Sequence, residues 1–377
     1  MNVIILGAGA SFAAGYPLTS DLLSELEKEM VSTPNIVVKK AWQRFSDFRE
    51  EAKGVIKRIL SSTNPEVVLS LIDLYLETRK NEEQASYMAL SKVYNQLESD
   101  TEPSEELPDN PKVSEPEEFF KAKIAVRDFL KCLDHFFGWK HYCDSKEDNT
   151  GKRQYLKKEL SLLFRGDIVI AMNWDTLVER VLLEEGRWTL GDGYGFPVQL
   201  KYVDDNGQDL SLTSEIIQSI SENSDVKVLK LHGSYGWRQK EGSSELYLKF
   251  ANYLRYLPIK YSEQQIFVKD YAEPRFFQEY ELVMIYPSFL KQFKTPQIQL
   301  IWHRAAEALA RADEIYIIGY SLPESDTAVR TLFNTLRFRS ESNEVMITVD
   351  DPNSQVRQRW KNFLGEKIIC RDRSLGN

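Results

Sequence analysis

The chain opens on Asn2-Val-Ile-Ile-Leu6, a short run that is apolar after its first residue and stops at a glycine. A run without polar alternation predicts a strand buried on both faces of a parallel sheet. Four more segments share this look: Asp167–Met172, Val226–Leu231, Glu314–Ile318 and Glu344–Val349. Leu282–Tyr286 and Lys367–Cys370 are further candidates for the same sheet. Between the strands, apolar residues recur at helical spacing in Thr176–Glu185, Gln297–Ala312, Ser325–Arg337 and Ser354–Leu364. Alternation of this kind predicts an α/β fold, a Rossmann-like, doubly wound and mostly parallel sheet.

The pattern changes between the first strand and Asp167. Lys39–Leu60, Pro65–Leu97 and Glu117–Phe137 read as amphipathic helices with few strand signals. We therefore expect a helical insertion, residues 31–164, interrupting a sheet domain made of residues 1–30 and 165–377. No internal repeat is apparent. Charge sharpens this division. The net charge is −9, but Glu98–Glu118 alone holds nine acids and one lysine, or −8. The remaining residues hold 48 acids against 47 bases, or −1. The body is near neutral, which excludes a broad basic surface that binds nucleic acid by releasing counterions. The acidic segment 98–118 carries four prolines and resists both helix and strand, so it is expected to be a flexible surface loop. A tether or gate for a basic partner surface is the sharper alternative.

With 42% hydrophobic and 28% charged residues, the chain has enough apolar material for a sizeable core. Cys132, Cys143 and Cys370 are an odd number without CxxC spacing, so they build neither a disulfide framework nor a four-cysteine zinc site. Buried free thiols are the expectation. No metal is implied. The N-terminus lacks the basic region of a signal peptide, and no apolar stretch approaches the roughly 18 residues of a membrane span. A cytoplasmic setting without membrane attachment is expected.

Candidate chemistry collects at the ends of the predicted strands. Gly7-Ala-Gly-Ala-Ser11 follows the first strand, and its glycines would let the backbone approach a phosphate at a helix N-terminus. The third glycine of a full GxGxxG is replaced by Phe12, and a simple tight turn explains the motif as well. Asn173-Trp-Asp175 ends the second strand, where ligands bind in open α/β sheets, although Asp175 also suits a helix cap. His232-Gly233 ends the third, and histidine is the side chain best suited to moving a proton near neutral pH. A structural histidine is the alternative. Gly319-Tyr-Ser321 ends a fourth strand and offers a second phosphate or ribose cradle. Asp350 ends the next, placed either to accept ribose hydroxyls or to cap a turn.

In this order the pieces resemble the sirtuin family, and more closely its bacterial sirtuin-like NAD-hydrolase branch used in antiphage defence. Gly7, Ala8, Gly9 and Ser11 with Gly15-Tyr-Pro17 are similar to that family's opening GAGxS…Gx-Pro. Asn173-Trp-Asp175 resembles its Asn-x-Asp, His232-Gly233 its catalytic His-Gly, and Gly319-Tyr-Ser321 its Gly-x-Ser. The resemblance implies catalytic roles for Asn173, His232 and Asp175. It implies that Gly7, Ala8, Gly9, Ser11, Gly15, Pro17, Gly319, Ser321 and Asp350 hold the dinucleotide, with NAD as substrate. The chain departs from the deacylase pattern. A four-cysteine zinc module cannot exist here, and Leu18-Thr19-Ser20 stands where deacylases carry Asp-Phe-Arg.

Cleavage of the nicotinamide–ribose bond to nicotinamide and ADP-ribose is therefore the expected activity, serving as a defence effector that ends infection by depleting NAD. Such an enzyme must be held inactive. The resemblance implies control by assembly as a homo-oligomer or by a partner, such as a HerA-type ATPase or an Argonaute-like protein. Two other functions stay open: an NAD-dependent deacylase or ADP-ribosyltransferase using the same first step, and a non-catalytic module that senses NAD or ADP-ribose.

Overall fold

A computed structural model of the chain describes residues 1–51, 114–146, 150–196, 223–240, 246–248, 280–285, 295–324 and 326–373. Its central sheet is built from the apolar runs. The strands are β1 (Asn2–Leu6), β2 (Ile168–Ala171), β3 (Lys227–Lys230), β7 (Glu314–Ile318), β8 (Met346–Asp350) and β9 (Ile369–Arg371), in the order β3-β2-β1-β7-β8-β9. Every pairing is parallel; Val3 lies opposite Ile168 on one side and Ile315 on the other. Val3, Ile4, Ile5 and Leu6 are buried, as a central strand covered on both faces requires. Each such side chain contributes about 1.5–3 kcal/mol by leaving water.

This is the doubly wound α/β fold that the alternation predicts. Strand order runs outward in one direction from β1 and in the other from β7, so the topological switch point lies between them. Three more strands form a separate antiparallel sheet, β5-β4-β6, from β4 (Gly233–Lys240), β5 (Leu246–Leu248) and β6 (Tyr280–Met284). Here the expectation for Leu282–Tyr286 needs correction. The segment begins two residues earlier and pairs antiparallel with β4, outside the parallel sheet. A short apolar run specifies burial but not the direction of its neighbour.

The helices are α1 (Ala8–Phe12), α2 (Leu22–Ser32), α3 (Ile36–Glu51), α4 (Ser114–Lys146), α5 (Thr150–Leu160), α6 (Leu177–Glu184), α7 (Pro296–Arg311), α8 (Thr327–Glu341) and α9 (Ser354–Leu364). In α7, Ile298, Ile301, Ala305, Ala308 and Leu309 are buried, one stripe at 3.6-residue spacing. Pro296 sits in its first turn, where a missing N–H costs nothing. In α9, Asn353 caps by accepting from Gln355 N at 2.9 Å, and Gly365 ends the helix at φ 98°.

The chain divides into two units, Met1–Leu22 with Leu133–Asn377, and Leu23–Cys132. The second is helical in its described residues. Its core includes Leu26, Met30, Phe45, Phe129 and Cys132, with the Phe45 and Phe129 rings 4.8 Å apart. Arg44 clasps Asp128 through two hydrogen bonds of 2.7 and 2.8 Å. Pro65–Leu97 and most of the acidic segment lie outside the described residues. Ser114–Glu118, the end of that segment, is helical and starts α4. Its Pro116 and its acids suit a first helical turn, which composition averaged over the whole segment obscures.

Candidate active site

The glycines after β1 and β7 serve close backbone packing. Gly7 N donates to Ile318 O at 3.0 Å and Gly9 N to Gly319 O at 2.9 Å. A Cβ on Gly7 would lie 2.4 Å from Gly319 O, and one on Gly9 would lie 2.8 Å from Gly319 Cα. The two turns that flank the switch point therefore press against each other with only hydrogen atoms between them. Gly319 itself has φ +62°, which a side chain disfavours. Ser321 is exposed beyond it, and its carbonyl accepts from Arg359 Nη1 at 2.5 Å.

Asn173 joins this junction from β2. Its Nδ2 donates to Gly7 O at 2.9 Å and to Ser11 Oγ at 2.8 Å, and the residue is 8% exposed. Ala8, half-buried, opens the five-residue α1 between these contacts. Gly15 and Pro17 lie farther along the turn. Gly15 is exposed at φ +87° with open space around it, and Pro17 is half-buried.

Asp175 is buried, and its Oδ1 accepts from Leu177 N at 2.9 Å, the local turn that starts α6. Beneath it, Lys230 and Glu179 form an ion pair of 3.4 Å with both side chains wholly buried. Lys230 Nζ also donates to Asp175 O, and Tyr194 donates to Glu179 Oε1 at 3.0 Å. Burial pushes the Glu179 carboxyl above its ordinary range, with the Lys230 charge opposing.

His232 is 3% exposed. Its Nδ1 lies 3.1 Å from Met172 O, and its Nε2 faces Asp326 Oδ2 at 3.3 Å. Gly233 follows at φ +70°, where a Cβ would meet Val283 O at 2.3 Å, so the His-Gly pair fits a close crossing of β6. Ile285 N donates to His232 O at 2.7 Å, and the Trp174 indole donates to Ile285 O at 3.1 Å. Trp174 and Tyr235 both pack on Phe137, which also stacks on Tyr16.

Asn173, Ser11 and the Gly7 and Gly319 turns thus share one junction, with His232 anchored to the carbonyl next to Asn173. Asp350 lies at the end of β8, where its carbonyl accepts from Gly319 N at 3.3 Å. Its carboxylate faces Arg373 Nη1 at 3.3 Å, and that guanidinium also pairs with Glu159 at 2.8 Å. Sequence reasoning missed Asp326, the carboxylate opposite His232. An aspartate just before a helix reads as a cap, yet its side chain makes no capping bond and accepts from Tyr320 Oη at 2.8 Å. Sequence reasoning also missed the Lys230–Glu179 pair. Among the described residues no cluster of three or more metal-ligating side chains occurs, and no helix is long and apolar enough to cross a membrane.

No family model and no curated protein matches the chain. Among solved structures it is similar to a Sir2 variant with deacetylated p53 peptide and 3′-O-acetyl ADP-ribose, at 10% identity and TM-score 0.37, covering 100% of this chain and 89% of that one. A Sir2 homologue variant in complex with ADP-ribose has 10% identity, TM-score 0.37 and coverage of 100% and 87%. A Sir2–p53 peptide–NAD+ structure has 11% identity, TM-score 0.33 and coverage of 100% and 89%.

Proposed function

We propose that the chain is an NAD+ glycohydrolase that releases nicotinamide and ADP-ribose. The observation that carries this reading is the junction of Asn173 with Gly7 and Ser11 beside the β1–β7 switch point, with His232 anchored next to it. Ligands of open α/β sheets occupy the crevice at such a point.

In the proposed reaction the C1′–N1 bond breaks, and its electron pair leaves with nicotinamide. Because the bonded nicotinamide is cationic, it departs neutral without needing a prior proton. A water oxygen then bonds to C1′, and His232 takes the water's proton before releasing it to solvent. Asn173 orients the nicotinamide-ribose end or the water, and Asp175 supports the developing positive charge on the ribose. Asn173, Asp175 and His232 are all buried, so a ribose held against them is shielded from nucleophiles other than a water admitted to the site.

A defence role, a cytoplasmic location, control through a homo-oligomer or a HerA-type or Argonaute-like partner, and a sheet domain of residues 1–30 and 165–377 around a 31–164 insertion belong to the same proposal. The test is incubation with NAD+, with and without the product of the neighbouring gene, followed by quantification of nicotinamide and ADP-ribose. Equal amounts of the two products are expected. O-acetyl-ADP-ribose formed on adding acetyl-lysine peptide would replace hydrolysis with deacylation.

A further inference from the structure

The His232 ring is engaged at both nitrogens. Met172 O, 3.1 Å from Nδ1, can only accept, so Nδ1 carries a proton. Asp326 Oδ2 lies 3.3 Å from Nε2, and the two side chains are 4% and 0% exposed. A carboxylate that close, away from water, favours a proton on the nitrogen it faces. With Nδ1–H already committed, a proton on Nε2 makes the ring an imidazolium. That ion has no lone pair with which to take a proton from water or a ribose hydroxyl.

The loop from β7 to α8 aims Asp326 at the ring. Asp326 occupies the N-cap position of α8, yet its carboxylate accepts from Tyr320 Oη at 2.8 Å instead of capping the helix. Trp360 Nε1 donates to Tyr320 O at 2.9 Å, and Arg330 Nη1 to Leu322 O at 3.2 Å. Leu322, fully buried, holds φ 51°, a conformation that costs a leucine and persists only where its surroundings impose it. Among the described residues, other charges on the elements around the ring have their own engagements. Asp175 accepts from Leu177 N, Lys230 pairs with Glu179, and Arg180 donates to Tyr16 Oη.

We infer that Asp326 is a positioning residue that keeps His232 protonated at rest and sets the pH above which His232 can act as a base. This rests on the reading of His232 as the proton acceptor. The sign is fixed by the charge. Asp326 stabilises the imidazolium, so the base form appears only at higher pH than it would beside a neutral group. Removing the charge lowers that pH. Removing the Tyr320 hydroxyl strips Asp326 of a donor that stabilises its charge elsewhere, and raises it.

The test is an NMR titration of protein labelled with ¹⁵N at its four histidines, with His232 assigned by its loss in His232→Ala. In Asp326→Asn the His232 midpoint is expected to fall by about one unit or more. It should rise in Tyr320→Phe and return towards the wild-type value in Asp326→Glu. The acid limb of kcat/KM for nicotinamide release should move in the same directions. A His232 midpoint unchanged in both Asp326→Asn and Tyr320→Phe overturns the inference. The titration shift without nicotinamide release from any variant supports the pairing and counts against the NAD reading. Tyr320→Phe keeps the carboxylate in place and decides the matter should Asp326→Asn fail to fold.

Discussion

Replacing Gly319 by alanine tests how the two glycine turns are fitted together. The added Cβ would lie 2.4 Å from Ala10 N, 2.6 Å from Gly9 C and 2.7 Å from Gly9 Cα, all backbone atoms that cannot swing aside. The turns would have to part by roughly an ångström to regain ordinary contact near 3.5 Å. That separation loosens Gly9 N→Gly319 O and Gly7 N→Ile318 O, now 2.9 and 3.0 Å. Net losses of about 0.5–1.5 kcal/mol per hydrogen bond add to about 1–2 kcal/mol for alanine at positive φ. The expected destabilisation is therefore about 2–5 kcal/mol. Gly15→Ala is the control. Its φ is also positive, but no atom lies within 4 Å of the added Cβ. Only the conformational cost remains there, and the gain of about 0.4–1 kcal/mol from a stiffer unfolded chain is common to both variants. Equilibrium urea unfolding can be followed by tryptophan fluorescence, to which Trp360, whose indole donates to Tyr320 O, contributes with six others. Equal midpoints for the two variants would refute the packing argument.

Lys230→Met should cost about 3–5 kcal/mol, because it leaves the Glu179 charge buried without its partner. A carboxyl whose pKa is raised in the fold stabilises the protein at low pH and loses that contribution as pH rises. The deficit should therefore shrink as unfolding is measured from pH 7 towards pH 5, and Lys230→Met with Glu179→Leu should recover much of it. Asn173→Ala removes the donor to Ser11 Oγ and one of two donors to Gly7 O, which keeps Ala10 N at 2.9 Å. Losing these two hydrogen bonds should cost about 1–3 kcal/mol in urea unfolding while abolishing nicotinamide release. Burial pushes the Cys132 thiol well above its ordinary range. Iodoacetamide should thus label half-buried Cys370 before Cys132 in the folded protein, as read by mass spectrometry.

Local pattern carried the parallel sheet because each of its strands announces itself. Asn2–Leu6 and Glu314–Ile318 are apolar without alternation, and the structure places them with those bounds. The second sheet was harder to read. β4 is Gly-Ser-Tyr-Gly-Trp-Arg-Gln-Lys, with two glycines and a charged end, and it acquires its strand form from pairing with β6. Asn173, His232 and the glycine turns were legible because each ends an obvious strand. Asp326 was not, since only the fold brings the start of α8 opposite the end of β3. Lys230 and Glu179 escaped for a related reason: in sequence a lysine ending a strand and a glutamate in a helix read as surface charges, and only packing shows them buried together.

The most direct test of the proposed activity is product analysis after incubation of wild type, Asn173→Ala and His232→Ala with NAD+, each alone and with the proposed partner. Nicotinamide and ADP-ribose should appear in equal amounts from the wild type. His232→Ala should fall by about 10²-fold or more, and Asn173→Ala should release none. Nicotinamide released undiminished by both variants would contradict the assignment of the site.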